Sequence, residues 1–438
     1  MPDLSESMTA LPSVIPSRAY ASDIARLERP SIGSQDDACL VLAQALSRFG
    51  QLSPEEQHVA APTMADAVAV NALAAGLQPS SMIMRAASAL RVVHEAGVRL
   101  PSGEDAVTDL VIATQGVAEE LEIAGGFELA FAMLNGLVTS FASLMSSRLH
   151  GNVLAHQGRA VRQLGALDVA VELYADACDI GLASGCHEVI ARALMGRGVI
   201  SVTRGNYPSA RGHFERALWH ADVAIDPELI RAAHHGLLNC GFASGDLDAA
   251  MVHGWNVLRL CIAPDSRAEA LMNMAEICRL TGEHDAAMRV YAVVVGWSSV
   301  ARVRLHASSG GLQSAIASGR LAEARRFANA VAELLPTAAD SYTRAIIGIE
   351  FADSLRQMGD PSATQRLAEA QALAVECCFH ELVHRAELAL DAWRDSVPPQ
   401  LLEAAEAQPY GRRQSGPARS EHFRTVLRSL NGLTAAVL

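Results

Sequence analysis

The 438-residue chain contains no lysine, so all 35 of its basic residues are arginines. Together with 48 acidic residues they give a formal net charge of −13, which argues against a general nucleic-acid-binding surface. Only 5% of the residues are aromatic, and the alternating apolar pattern of β-strands is nearly absent, which favours an all-helical fold. The eight cysteines form no Cys-x-x-Cys pair, so free thiols of a reducing cytosol are expected.

Targeting and membrane signals are also sparse. The N-terminus lacks a basic region and is broken by prolines, unlike a signal peptide. Residues 129–147 form an uncharged run long enough to raise the question of a membrane span. The run contains Asn135, Gly136 and five serines or threonines, so we expect a buried helix. These features predict a cytoplasmic protein with no membrane partner.

What the sequence has is a repeat. Seven glycines recur at spacings of 40, 40, 40, 37, 37 and 40 residues, which indicates one supersecondary unit repeated along the chain. The best copies also carry a small residue seven before the glycine, an alanine five after it, an aromatic nine after it and a small residue twelve after it. The glycines are Gly125, Gly165, Gly205, Gly245, Gly282, Gly319 and Gly359.

This pattern resembles the tetratricopeptide repeat (TPR) over about residues 103–395. The resemblance implies an all-α solenoid of antiparallel helix hairpins, wound as a right-handed superhelix. The family's usual unit has 34 residues, and the longer units here resemble the sensor modules of bacterial regulators. Leu134, Gly254 and Ala328 replace the aromatic residue in three copies.

The repeat divides the chain into four parts. We expect a flexible or strap-like arm at 1–35, a helical cap or divergent repeats at 36–102, an array of about seven repeats at 103–395, and a linker with a C-terminal amphipathic helix at 396–438. The tail is rich in arginine, whereas residues 101–147 carry seven acids and no arginine. The two ends of a seven-hairpin array are expected to lie far apart, so we predict that the tail helix docks on a second copy or on an output partner. Its predicted apolar stripe is Phe423, Val426, Leu427, Leu430 and Leu433.

The resemblance also implies a binding face. In TPR proteins the first helix of each hairpin faces a concave groove, and the inward positions fall 13, 10, 6 and 3 residues before each turn glycine. The predicted partner-binding residues are Asn152, Arg159, Arg162, Arg192, His235, Asn239 and Arg279. The same rule turns further residues inward, which are Gln115, Glu119, Glu122, Ala232, Glu269, Met272, Glu276, His306 and Gln313. Arginine forks suit carboxylates and asparagine can hold a peptide backbone, although the arginines can equally pair with glutamates of neighbouring hairpins.

Two motifs suggest other chemistry. His380-Glu381-x-x-His384 has the spacing of a zinc peptidase, but Arg385 follows it and no clear third ligand is present, so a structural helix is favoured. Ser308-Ser309-Gly310-Gly311 before a helix could bind a phosphate, but a loosened piece of the helix itself is favoured.

The sequence therefore favours a non-enzymatic scaffold or regulatory adaptor in bacterial signalling or transcription control. It would bind a protein or peptide in its groove and need no cofactor or metal. The alternatives are a ligand-gated sensor acting on an output partner in trans and a zinc peptidase.

Overall fold

The structure is a computed structural model and describes residues 35–49, 51–52, 54–78, 80–95, 101–338, 340–395 and 419–435. Most of the predicted N-terminal arm and the predicted linker up to residue 418 lie outside the described residues. The described residues form 19 α-helices and contain no β-strand, which confirms the all-α fold class.

The chain divides into two compact units, Met1–Leu229 and Ile230–Leu438. The division lies inside helix α10 (Pro227–Ser244), whereas the sequence suggested one continuous array. The boundaries predicted between cap, array and tail stay predictions.

The helices before α10 are α1 (Gln35–Phe49), α2 (Pro54–Ala74), α3 (Met82–Glu95), α4 (Pro101–Ile123), α5 (Phe127–Phe141), α6 (Ser147–Gln163), α7 (Leu167–Ser184), α8 (His187–Thr203) and α9 (Tyr207–Ala224). Those after it are α11 (Leu247–Leu260), α12 (Pro264–Leu280), α13 (His284–Trp297), α14 (Ala301–Ala317), α15 (Leu321–Leu334), α16 (Ser341–Gln357), α17 (Ala363–Glu376), α18 (His380–Asp395) and α19 (Glu421–Ala435).

Each predicted turn glycine joins the two helices of a hairpin. All seven have φ between +69° and +86°, a left-handed conformation that costs glycine little. At Gly282 the glycine N–H donates to the Arg279 carbonyl at 3.1 Å, and the next N–H, of Glu283, donates to the Cys278 carbonyl at 2.8 Å. These two bonds form a Schellman motif, which satisfies the last carbonyls of α12 and sets the reversal into α13. The predicted hairpin turns are confirmed.

The predicted aromatic residues pack against helical glycines, either within their own hairpin or on the next one. Tyr174 of α7 packs on Gly158 and Gly196, and Phe214 of α9 packs on Gly198. In the copy with Ala328, the preceding residue Phe327 packs on Gly311 instead. The aromatic is therefore displaced by one residue in that copy rather than lost.

The uncharged run predicted to be a buried helix forms α5 and the turn after it. Phe127–Leu144 has the length and apolar composition of a membrane span, and 39% of it is buried inside the protein. Met133, Leu134 and Leu137 are fully buried in the core of the first unit. Phe141 stacks on Phe49 of α1 with ring centroids 5.0 Å apart. The apolar face of α5 is thus occupied by its own unit.

The C-terminal helix departs from its prediction. Its apolar stripe is real, since Phe423, Val426 and Leu430 are buried and Leu427 and Leu433 pack beside them. However, α19 packs on α11 and α13 of its own chain, so the expectation of a second molecule as its target is wrong for this structure. The Ser420 N–H donates to Asp248 Oδ2 at 2.6 Å, and Arg289 Nη2 donates to Asn431 Oδ1 at 2.9 Å. The amphipathic pattern identified the buried face but carried no information about which helices cover it.

Candidate functional site

A pocket of about 210 Å³ opens on the second unit, on the face formed by the first helices of three successive hairpins. Residues three, four or seven apart share one side of a helix, and equivalent sides of α12, α14 and α16 lie next to one another. The lining residues are Met272, Asn273, Glu276 and Arg279 of α12, Tyr291 of α13, His306, Ser309, Gly310 and Gln313 of α14, and Ile347 and Glu350 of α16.

One wall of the pocket is a hydrogen-bonded group of Glu276, Arg279 and Tyr291. Arg279 donates from Nε to Glu276 Oε2 at 2.8 Å and from Nη2 to Oε1. The Tyr291 hydroxyl, which is fully buried, donates to Glu276 Oε2 at 2.7 Å. Three donors therefore hold one carboxylate.

This arrangement shifts the proton equilibria of all three groups. Burial acts to raise the pKa of Glu276, but the hydrogen bond and charge of Arg279 and the Tyr291 hydroxyl hold it below its ordinary value. Burial raises the pKa of Tyr291 well above its ordinary value, and the neighbouring Glu276 carboxylate adds to the shift. The hydrogen bond to Glu276 raises the pKa of Arg279. The wall is thus a fixed ion pair with a neutral phenol at physiological pH.

A second carboxylate, Glu350, lies on the α16 side of the pocket with weaker partners. Its Oε2 accepts from Ser309 Oγ and from Gln313 Nε2, each at 3.3 Å. Its Oε1 accepts from Arg385 Nη2 at 3.2 Å, and the Arg385 side chain is 47% exposed. These contacts are long for charge-assisted hydrogen bonds, which usually measure about 2.7–2.9 Å.

The remaining polar groups are uncharged. Burial, with the nearby Arg302 charge, lowers the pKa of His306, while Glu350 and Asp340 oppose the shift. Asn273 lines the pocket, and its amide makes no hydrogen bond to the described residues. Amides of this kind offer both a donor and an acceptor to a ligand.

Sequence reasoning found five of the lining residues, because Met272, Glu276, Arg279, His306 and Gln313 all occupy predicted inward positions. It missed a further set nine residues before the turn glycine, where Asn273, Gly310 and Glu350 lie. The signal was present in the sequence. The same position holds glycine in four copies and a polar residue in the other three (His156, Asn273 and Glu350). Glycine at this position admits a tyrosine ring, as at Gly196 and Gly310, and a polar residue there offers a group to a ligand.

In the first unit, two of the predicted arginines, Arg159 and Arg162, lie beside charged or polar groups of the protein itself. Arg159 forms an ion pair with Glu122 of α4, which is almost fully buried, and its Nη2 lies 3.2 Å from His156 Nε2. Arg162 lies near the Tyr174 phenol and acts to lower its pKa against the larger effect of burial. Arg159 therefore adopts the alternative of pairing with a neighbouring hairpin, and its role in partner binding stays a prediction.

The other predicted residues are placed differently. Arg192 is exposed, with no ion pair to the described residues, and the buried Oδ1 of Asn152 has no hydrogen-bond partner among them. His235 and Asn239 are exposed on α10, with Asn239 Nδ2 3.5 Å from His235 Nδ1. Neither lines the pocket. Of the seven predicted binding residues, Arg279 alone does.

The two motifs with catalytic spacing lie in ordinary helices. His380, Glu381 and His384 are exposed on α18, while Leu382 and Ala386 bury its opposite face. Among the described residues, no group of three or more His, Cys, Asp or Glu side chains could hold a metal ion. Ser308–Gly311 lies in the middle of α14, neither before a helix nor loosened from it. A Cβ on Gly310 would lie 2.4 Å from Tyr291 Cζ, which accounts for a glycine there by packing.

No protein-family model matches the chain, and no curated protein sequence matches it. The chain is similar to solved helical proteins at low identity. Aspartyl phosphate phosphatase F from Bacillus subtilis is 9% identical, with 79% of this chain and 96% of that chain covered and a TM-score of 0.47. A Rap protein complexed with competence and sporulation factor is 12% identical, with 78% and 98% covered and a TM-score of 0.44. The TPR2AB domain of yeast Sti1 is 15% identical, with 64% and 97% covered and a TM-score of 0.25. At these TM-scores the similarities carry no partner or activity over to this chain.

The resemblance to TPR-like repeats rests on features of this chain's own structure. Its helix hairpins, left-handed turn glycines and interhelical aromatics are those of the repeat pattern.

Proposed function

We propose that the protein is a non-enzymatic regulatory scaffold that binds a peptide segment on the face of α12, α14 and α16. The pocket on that face carries the proposal. Its polar groups project from three rigid helices, and a site on regular helices is better positioned than one on loops. We infer that the peptide is extended, since Asn273 and Gln313 each offer a donor and an acceptor to a peptide backbone.

A peptide display selection against the full chain tests this function. Peptides that bind should lose affinity about tenfold or more with Asn273→Ala or Gln313→Ala, since a peptide hydrogen bond left unmade in a desolvated site costs about 1–3 kcal/mol. Gln365→Ala is the matched control because Gln365 is exposed on α17, where it bonds Glu369. A selection that yields no binder, or binders indifferent to both pocket variants, would refute the proposal.

A ligand-gated sensor is the second candidate, and helix α13 favours it. Tyr291 forms part of the pocket, and Arg289, two residues earlier, donates to Asn431 of α19. A peptide that moves α13 would therefore act on the C-terminal helix, because a ligand shifts a conformational equilibrium only through contacts that differ between the two states.

Hydrogen exchange of the amides of α19, with and without a selected peptide, separates the two functions. A sensor should change α19 exchange on binding, and Arg289→Gln should reduce the change. A simple scaffold should leave α19 exchange unaltered.

A further inference from the structure

The charge balance of the pocket favours a cation. Its lining includes two carboxylates, Glu276 and Glu350, and one guanidinium, that of Arg279, while the half-exposed guanidinium of Arg385, outside the lining, bonds Glu350. The lowered pKa of His306 keeps that imidazole neutral at physiological pH. A ligand group that carries a positive charge is therefore better matched to the lining than a neutral or negative one.

The two carboxylates are not equivalent. Glu276 is held by two bonds from Arg279 and one from the buried Tyr291 hydroxyl, so its acceptor sites face its own protein. Glu350 has two long contacts with uncharged donors and one with an arginine that is about half exposed. Exposed ion pairs of this kind are weak, so Arg385 is a partner that a ligand can replace.

An anionic ligand would meet the opposite situation. Arg279 is the cation of the lining, and its Nε and Nη2 are already bonded to Glu276. A carboxylate would have to displace that internal pair and leave Glu276 with the Tyr291 hydroxyl alone. The groove arginine predicted to bind carboxylates is thus the group that fixes Glu276.

The size of the pocket sets the size of the ligand group. Pockets for whole drug-sized molecules measure roughly 300–1,000 Å³, whereas this one measures about 210 Å³. Met272 and Ile347 supply apolar surface for an aliphatic stem. One long side chain of a peptide fits this description.

We propose that the pocket recognises an arginine or lysine side chain of the bound peptide, with the Glu350 carboxylate as the group that pairs with its charge. This inference rests on the proposed peptide-binding function and names the residue class that the peptide supplies. Glu276 has a positioning role, because with Arg279 and Tyr291 it forms the wall against which the side chain lies.

The first experiment uses Nα-acetyl-arginine N-methylamide as a probe, followed by NMR of the [¹³C]methyl-labelled Met272 in the full chain. The probe should shift this signal, and the neutral citrulline analogue should bind about tenfold more weakly, in keeping with the loss of a charge-assisted hydrogen bond. Glu350→Gln should produce the same loss. Glu269→Gln is the control, since Glu269 is an exposed glutamate of α12 outside the pocket lining. No shift at probe concentrations on the order of 10 mM overturns the assignment.

Arg385→Gln gives the sharpest test, because it predicts a gain. Removing the competing guanidinium should tighten binding of the arginine probe about two- to fivefold, whereas a purely structural Glu350–Arg385 pair predicts no gain or a loss. Thermal unfolding of the Arg385→Gln and Glu350→Gln variants checks that each retains the fold.

The display-selected peptides separate this inference from the proposed function. Replacement of their arginines by citrulline, or of their lysines by norleucine, should cost about tenfold in affinity for the wild type and little for Glu350→Gln. Peptides that depend on Asn273 but tolerate these replacements leave the proposed function standing and overturn the cation assignment.

Discussion

Tyr174 of α7 and Tyr291 of α13 follow the turn glycines of their hairpins by nine residues, one in each unit of the molecule. Each ring packs against a glycine of the next hairpin, Gly196 in the first case and Gly310 in the second. Each also has an arginine three residues before its turn glycine, Arg162 or Arg279. The apolar framework of the two places is the same.

The charges around the two rings are arranged differently. Six residues before the turn glycine stands Arg159 in the first unit and Glu276 in the second. Arg159 draws its carboxylate, Glu122, from another hairpin, whereas Glu276 pairs with Arg279 on its own helix. The phenol of Tyr174 therefore has Arg162, Arg159 and the paired Glu122 near it, while that of Tyr291 donates to a carboxylate. A repeat framework can thus keep its packing while the carboxylate beside the ring comes from a different helix.

The shared framework can be tested by replacing the glycines that pack against the two rings. These substitutions should have the largest effect on stability. A Cβ at Gly196 would lie 2.1 Å from Tyr174 Cζ, and one at Gly310 would lie 2.4 Å from Tyr291 Cζ. We expect Gly196→Ala and Gly310→Ala each to destabilise the protein by about 2–3 kcal/mol in denaturant unfolding, because the buried rings must move.

Gly212→Ala and Gly296→Ala are the matched controls, since both glycines are helical and nothing lies within 4 Å of an added Cβ. These controls should be stabilised by up to about 1 kcal/mol. If Gly310→Ala behaves like its control, the Tyr291 ring is not fixed and the common framework is refuted.

The difference in charge can be tested by removing each carboxylate. Glu276→Gln and Glu122→Gln should each cost about 2 kcal/mol at neutral pH, the usual range for hydrogen bonds to a charged group being about 1.5–3 kcal/mol. Against the opposing effect of burial, His156 and Arg159 lower the pKa of Glu122, and Arg279 and Tyr291 lower that of Glu276. The stabilisation is therefore present above the unfolded pKa of about 4.3 and is lost as the pH falls through the lower folded pKa.

The measurement is urea unfolding of wild type and each variant between pH 7 and pH 3. The gap in unfolding free energy should narrow below about pH 4 for both pairs. Glu269→Gln, with its exposed ion pair, should show a gap near zero throughout. A gap that stays constant to pH 3 would contradict the assignment.

Much of the framework could be predicted from the sequence, because it depends on local geometry. The turn glycines follow from a backbone conformation that other residues rarely adopt, and the aromatic–glycine pairs follow from repeat spacing. In the copy with Ala328, the aromatic that packs on Gly311 is the neighbouring residue Phe327.

The charges could not be assigned in the same way, because each depends on a second helix. The sequence places Arg159 on the groove face but does not show that Glu122 of another hairpin forms an ion pair with it. Glu350 was not predicted as a site residue, because its place in the pocket depends on contacts with Gln313 and Ser309 of another helix, α14. The amphipathic pattern of α19 likewise identified Phe423 as apolar without indicating that α11 and α13 would cover it.

The smallest expected effect concerns the order in which the two phenols ionise. Burial raises the pKa of both tyrosines, and it raises that of Tyr291 well above its ordinary value. Arg162 and Arg159 oppose the shift at Tyr174 while Glu122 adds to it, and Glu276 adds to the shift at Tyr291 while Arg279 opposes it. We therefore expect Tyr174 to ionise at a lower pH than Tyr291.

A raised folded pKa means that the associated stability is intact below the unfolded pKa of about 10 and is lost as the pH rises further. Tyr291→Phe should accordingly reduce the alkaline loss of stability more than Tyr174→Phe. At neutral pH Tyr291→Phe should cost about 1 kcal/mol through its lost hydrogen bond to Glu276. NMR of [¹³Cζ]tyrosine, assigned with the two phenylalanine variants and with Tyr342→Phe as the partly exposed control, follows each phenol separately. Ionisation of Tyr291 before Tyr174 would show that the local charges do not act on the rings as their geometry requires.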